Sequence, residues 1–227
     1  MIKDDVVIVA GNMLSVSSDV VDPWRKDVIS SLLFSRLYAN SQADRFAEAQ
    51  QWYKDYNDAL GHLKWEFRAG KSNDFEPVDG SVIVVKDLIR EKLVDALSST
   101  QAEQFERLIR SIELASSAQM LAAQVEEHAV VKVVVDGIHE VSCFALQLSL
   151  VGQGPVVCSV FVRFDTTQEV GFEFFKQDFT SEHIVGKVSV DVSQRVLNKV
   201  IYEKSRMREM IASKLPEAGN SQMPELS

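Results

Sequence analysis

The stretch FALQLSLVGQGPVVCSVFVRF, residues 144–164, decides the fold. Before its central GQGP, Phe144, Leu146, Leu148 and Leu150 alternate with Ala145, Gln147 and Ser149. Beyond it, Val156, Cys158, Val160, Val162 and Phe164 alternate with Ser159 and Arg163. Strict alternation is the period of a strand with one buried face, and a short glycine-rich link joins antiparallel neighbours. The stretch therefore predicts a hairpin with one apolar and one mixed face.

Working outward, VVKVVVDGIHEV (residues 130–141) has a strand, an Asp-Gly turn and a second strand, the strongest short hairpin signal. A turn at DTTQE (165–169) leads to Val170, Phe172 and Phe174 alternating with Gly171 and Glu173. After the loop 176–186, Val188 and Val190 alternate with Lys187, Ser189 and Asp191. Upstream the period is helical. Asp22 and Pro23 open a helix carrying Trp24, Val28, Leu32, Leu33 and Leu37, a second runs over 44–60, and Gly61 ends it. Residues 69–81 read as a linker, with VIVV (82–85) a short strand leading into a helix. Thr100 and Glu103 form a T-x-x-E capping box for the next helix, and 116–128 read as one more. Ser193 caps a closing amphipathic helix over 192–215, and 216–227 are expected to be a flexible tail. A short strand is expected at residues 5–9. The prediction is one α+β domain over 1–215: a helical half (about 22–129) packed on an antiparallel β-meander (about 130–191) and closed by the last helix.

The chain's densest aromatic run is WYKDYNDALGHLKWEF (52–67). At about 100° per residue, Phe46, Ala49, Trp52, Tyr53, Tyr56 and Leu60 share one helical arc, and Trp65 and Phe67 then alternate as on a strand. A stripe at this spacing is core, with Trp52, Tyr53, Tyr56 and Trp65 the candidate pocket if a ligand enters between this helix and the sheet. Together with the C-terminal segment, this run resembles a sparsely characterised group of bacterial and fungal proteins. These pair a W-Y-x2-Y-x3-L-G-x3-W block with a closing L-N, Tyr, Arg, Ile, K-L helix. Trp52, Tyr53, Tyr56, Leu60, Gly61 and Trp65 carry the first match, and Leu197, Asn198, Tyr202, Ile211, Lys214 and Leu215 the second. The distance from Tyr202 to either Arg206 or Arg208 departs from that pattern. The resemblance implies a shared fold and no activity.

Composition excludes several classes. A chain of 227 residues, 46% hydrophobic and 25% charged, builds its core without staples. No apolar run approaches the roughly 18 residues of a membrane-spanning helix. The N-terminus MIKDDVVIVAGN lacks the basic opening of a secretory signal, so the expected location is cytoplasmic, or exported without a cleaved signal. A net charge of −9 argues against nucleic acid as a partner. Cys143 and Cys158 fall on opposite strand faces and are expected as free thiols. His139 and Cys143 on one strand stand about 13 Å apart, too far to share a metal, so neither metal nor cofactor is expected. No nucleophile elbow, phosphate loop or H-E-x-x-H occurs, so no catalytic residue is assigned.

Two features remain. Residues 192–215 hold six cations and two carboxylates, and Arg195, Lys199, Tyr202 and Arg206 line one side of the expected helix as a partner-binding stripe. Lys204 falls within that helix's apolar arc. The sheet's mixed face, with Val157, Phe161, Arg163 and Phe175, is the candidate interface. These favour a non-enzymatic interaction protein that binds itself or another protein through that face or an edge strand. The alternative is a delivered effector of pore-forming type using amphipathic hairpins, in which the membrane becomes the partner. The third reading is a small-ligand binder or enzyme with the aromatic pocket.

Overall fold

The computed structural model describes residues 5–9, 11–114, 129–135, 139–171 and 173–215. In chain order these form β1 (Asp5–Val9), β2 (Asn12–Val16), α1 (Trp24–Gln42), α2 (Ala49–His62), β3 (Trp65–Phe75), β4 (Val82–Val84), α3 (Val85–Leu93) and α4 (Ser99–Leu114). There follow β5 (Val130–Val135), β6 (His139–Gly152), β7 (Val156–Thr166), β8 (Asp178–Thr180), β9 (Ile184–Leu197), α5 (Lys199–Lys204) and α6 (Met207–Lys214). The class is α+β, with helices packed on a mixed, mainly antiparallel sheet. The large sheet runs β1-β2-β6-β7-β9-β3, with β5 beside β6, while β4 and β8 pair separately.

The β6–β7 hairpin is its axis. Pairing runs unbroken from Ser142 opposite Thr166 to Gly152 opposite Val156. Gly154 takes a φ of +117°, which a side chain would strain, and so lets the chain reverse. On the apolar face, Phe144, Leu146, Leu148, Leu150, Cys158, Val160, Val162 and Phe164 meet Leu88, Ile89 and Leu93 of α3 and Phe105, Leu108 and Ile109 of α4. On the other face, Ala145, Val151, Val157 and Phe161 meet α1 and α2, with Tyr202 of α5 and Ile211 of α6 in the same cluster.

Several expectations are corrected. The mixed face is not open, because α1 and α2 lie on it. The supposed linker is mostly strand: β3 continues to Phe75 because β9 supplies a partner along its length, with a register shift between Phe67 and Ala69. The described residues among 170–177 form no strand. Instead Gln177 Nε2 donates to the Glu169 carbonyl (2.7 Å) and Gln168 Oε1 accepts from Thr180 N (2.9 Å), holding an irregular loop whose Phe174 and Phe175 enter the core. The closing helix starts later, since Val192 and Val196 pair with both β7 and β3. Asn198 rather than Ser193 caps α5, accepting from Ile201 N at 3.0 Å. A left-handed Arg206 then separates α5 from α6. Strand β2 was not anticipated; it pairs in parallel with β6, Asn12 opposite Gln147. The helix expected at 116–128 and the tail lie outside the described residues.

The capping box also moves. Ser98 N donates to Gln101 Oε1 (3.3 Å), and Gln101 N donates to Ser98 Oγ (3.3 Å), so the reciprocal pair is S-x-x-Q, two residues ahead of the expected T-x-x-E. Ser98→Ala is therefore expected to cost about 1 kcal/mol in urea unfolding, while Thr100→Ala stays within about 0.5 kcal/mol. Equal costs would return the cap to Thr100.

Candidate functional site

The layer between α1–α2 and the sheet is polar for a place so deeply buried. Register sets Ser149, Ser159 and Ser193 in one row across β6, β7 and β9, and Gln147, Phe161 and Asp191 in the next. Ser149 and Ser159 share a 2.8 Å hydrogen bond, Asn12 Nδ2 donates to Ser149 Oγ (3.3 Å), and the Tyr53 hydroxyl donates to Ser193 Oγ (3.3 Å). From above, Trp52 stacks on Tyr56 (5.7 Å between centroids), and Phe161 lies beneath Trp52 (5.4 Å) and Tyr53 (5.2 Å). Arg36 and Arg45 are both buried with their guanidiniums 5.6 and 5.1 Å from the Trp52 ring centre.

This layer carries an unusual polar cost. Ser35 Oγ and the Nε and Nη1 of Arg36 are buried without a hydrogen-bond partner, while the buried Tyr56 hydroxyl meets the Gln147 amide, whose bonding capacity is only partly used. Burial lowers the Arg36 pKa to about 10 and raises that of Tyr56. Arg45 is lowered by burial first and then by the charge of Arg36. By contrast, the rim of the layer is clasped. Arg208 of α6 reaches the buried carboxylate of Asp27 in α1 through two bonds, Nε to Oδ1 at 2.8 Å and Nη2 to Oδ2.

Each residue singled out in the sequence now has a place. Val157 and Phe161 are buried under α2, and Phe175 is buried on the opposite side of the sheet, so these do not form one open contact face. Arg163 is half-buried with Asp165 at 3.7 Å. Trp52, Tyr56 and Trp65 fill the space between α2 and the sheet, with half-buried Tyr53 against them, leaving core where a pocket was considered. A described cavity of about 750 Å³ lies elsewhere, over the outer strands, lined by Lys71, Lys92, Asp95, Val190, Val192 and Gln194. The basic stripe divides. Arg195 is in β9, donating to Asn57 Oδ1 (3.2 Å) and the Trp65 carbonyl (3.2 Å), and Tyr202 is buried, its pKa pushed up to about 12 mainly by that burial. Lys199 is half-buried at the start of α5, and Arg206 is exposed at the break that follows it. Both thiols are free, and burial raises Cys143 to about 11 and Cys158 to about 12. Asn12, Arg36 and Arg45 were missed: the first sits in the unforeseen β2, and nothing in a helical charge pattern says that an arginine is buried.

Comparison with known proteins adds a likeness of shape and no family. No family model matches the chain, and no curated protein matches it. Among solved structures, it resembles a delta-endotoxin with TM-score 0.44 and 12% identity over 81% of this chain and 80% of that one. It resembles the activated Cyt2Ba monomer from Bacillus thuringiensis subsp. israelensis with TM-score 0.46 and 12% identity, over 82% of this chain and 96% of the other. The Evf virulence factor aligns with TM-score 0.33 and 10% identity, over 93% of this chain and 80% of that one.

Because the Gln147 amide meets the buried Tyr56 hydroxyl, replacing it with leucine leaves that hydroxyl without its partner. Gln147→Leu is expected to cost about 1–3 kcal/mol in urea unfolding. A gain in stability would mean that the two groups do not bond in solution.

Proposed function

We propose that this chain is a membrane-active protein of pore-forming type, whose central strands enter a bilayer once the α1–α2 layer lifts from the sheet. The observation that carries the reading is the two-sidedness of the hairpin. Strands β6 and β7 have 14 and 11 residues, and β9 has 14, against the 9–11 that a tilted spanning strand needs. Along them one face is continuously apolar from Phe144 to Leu150 and from Cys158 to Phe164. The other mixes Gln147, Ser149, Ser159 and Arg163 with Ala145, Val151, Val157 and Phe161. Apolar-out and polar-in alternation is what a strand facing lipid on one side and water on the other requires.

Energetics supports the same direction of change. In the folded form the polar face is covered by helices that leave Gln147, Tyr56 and Arg36 incompletely bonded. Facing a water-filled lumen, that side of the strands regains hydration, while the apolar side exchanges α3–α4 for lipid at little cost. No described helix is long and apolar enough to cross a membrane, which leaves strands as the spanning elements in this reading.

A second reading keeps one specific support. β3 is an 11-residue outer strand, exposed over most of its length, whose second edge has no strand partner among the described residues and on which a second copy could add. Such pairing would make a soluble self-associating protein without any lipid.

The test is dye release from phospholipid vesicles. Wild-type protein is expected to release an entrapped fluorophore, and the triple variant Gln147→Leu, Ser149→Val, Ser159→Val to release it at least about tenfold more slowly per folded molecule, with the folded fraction read by circular dichroism because Asn12 loses Ser149. Absence of release by the wild type from both neutral and anionic vesicles, with a defined oligomer in native mass spectrometry, would replace this reading with edge association.

A further inference from the structure

One end of the molecule joins the C-terminal end of β9 to α5 and the turn from α2 into β3. Asn198 ties them: its N–H donates to the Lys64 carbonyl (2.9 Å) and its amide to Glu66 Oε1 (2.6 Å). Beside it, the Lys199 ammonium lies 5.0 Å from the ring centre of Trp24, which packs edge-on against Tyr202 at 6.3 Å. Large aliphatic side chains of the neighbouring segments stand in solvent: Val21 is 64% exposed, Val200 60% and Ile201 45%. Lys204 and Arg206 are exposed on the following turn, and neither meets a carboxylate among the described residues. Residues 199–214 hold five cations and two carboxylates in a chain of net charge −9.

The backbone adds an independent observation. Among the described residues, the non-glycine positions in the left-handed region are Lys64 (φ 71°) and Arg206 (φ 51°). Glycine would occupy either without strain, yet both are cations, and both lie at this end.

We infer that this end is a docking surface for an anionic phospholipid bilayer, a step that rests on the membrane-active reading above and names its lipid. Phosphates meet Lys199, Lys204 and Arg206, the side chains of Val21, Val200 and Ile201 enter the interface, and Trp24 takes the headgroup level that indoles favour. An acidic protein would supply the charge complement but gives exposed aliphatics on a convex helix turn no pocket to fill. Docking here also acts on the clasp of the helix layer. A phosphate that draws Lys199 from Trp24 loosens α1 where Arg208 holds Asp27.

The test is co-sedimentation of the full chain with vesicles of phosphatidylcholine alone, and of phosphatidylcholine with three-tenths phosphatidylglycerol, at 50 and 300 mM NaCl, with dye release read in parallel. Wild type is expected to prefer the anionic vesicles and to bind them less at high salt. Lys199→Glu/Lys204→Glu/Arg206→Glu is expected to weaken binding about a hundredfold or more, and Lys176→Glu/Lys187→Glu at distant sites to leave it within about twofold. Arg206→Gly separates structure from recognition: it is expected to melt no lower than wild type, with strain relieved, while binding about fivefold more weakly. Equal binding by the triple reversal, no preference of wild type for anionic lipid, or Arg206→Gly binding as wild type would each overturn the surface. Dye release that persists in the triple reversal would overturn it while leaving the pore reading intact. Tight binding without release would do the opposite.

Discussion

The rest of the structure depends on the β6–β7 ladder. Eleven residue pairs, Ser142 with Thr166 through Gly152 with Val156, fix which side chains face which way, since a slip of one residue would exchange the two faces entirely. Strands β2 and β5 align on one side of this ladder, and β9 and then β3 on the other. The helices then divide by what each face offers. α3 and α4 take the wholly apolar face. α1, α2 and the link between them bring an indole, two phenols and two arginines to the mixed one.

That asymmetry links folding to function. The apolar contact is largely of a kind that any hydrocarbon satisfies, with α4 adding a buried polar tie, Gln104 Nε2 donating to Ser15 Oγ at 3.0 Å. Over the mixed face, stacking of Trp52, Tyr53 and Phe161 holds the layer, while the buried guanidinium of Arg36 and the partly bonded Gln147 amide work against it. Peripheral fastening by Asp27 and Arg208 therefore matters more than its single ion pair would suggest. Breaking this bidentate contact removes the charged partner of a buried carboxylate, at a cost of about 1–3 kcal/mol with Arg208 half in solvent, and loosens α1 from α6.

Sequence alone conveyed the ladder and both helix–sheet halves, because alternation along 144–164 and the apolar stripes of α1, α2 and α4 are local periodicities. It failed where a distant partner overrode local preference. Residues 69–75 contain two small residues, a glycine among them, and several polar ones, and become strand only because β9 lies beside them. Residues 192–197 fit a helical stripe equally well, but their valines are claimed by two neighbouring strands. The candidate site was half legible. The polar row Gln147, Ser149, Ser159 and Arg163 stood out, and the aromatic stripe read correctly as core. That one covers the other was not legible, because an alternating strand with serines on one side looks the same whether that side meets water or a helix. The cations of the last segment were visible, whereas their split between β9 and the turn at Arg206 needed the left-handed break.

The account's central claim is that the mixed face passes from helix cover to water while the apolar face passes to lipid. Neighbouring positions on β7 report both, since Cys158 is on the apolar face and Ser159 on the mixed one, and both are buried in the folded chain. The most direct measurement is thiol accessibility, in a Cys143→Ser background, of native Cys158 and separately of Ser159→Cys with Cys158→Ser, with and without anionic vesicles. Without vesicles, both should resist a charged maleimide. With vesicles, position 159 should react with the charged reagent, and position 158 only with a lipid-soluble one. Protection of both positions in protein bound to leaking vesicles, or equal opening of both to the charged reagent, would contradict the account.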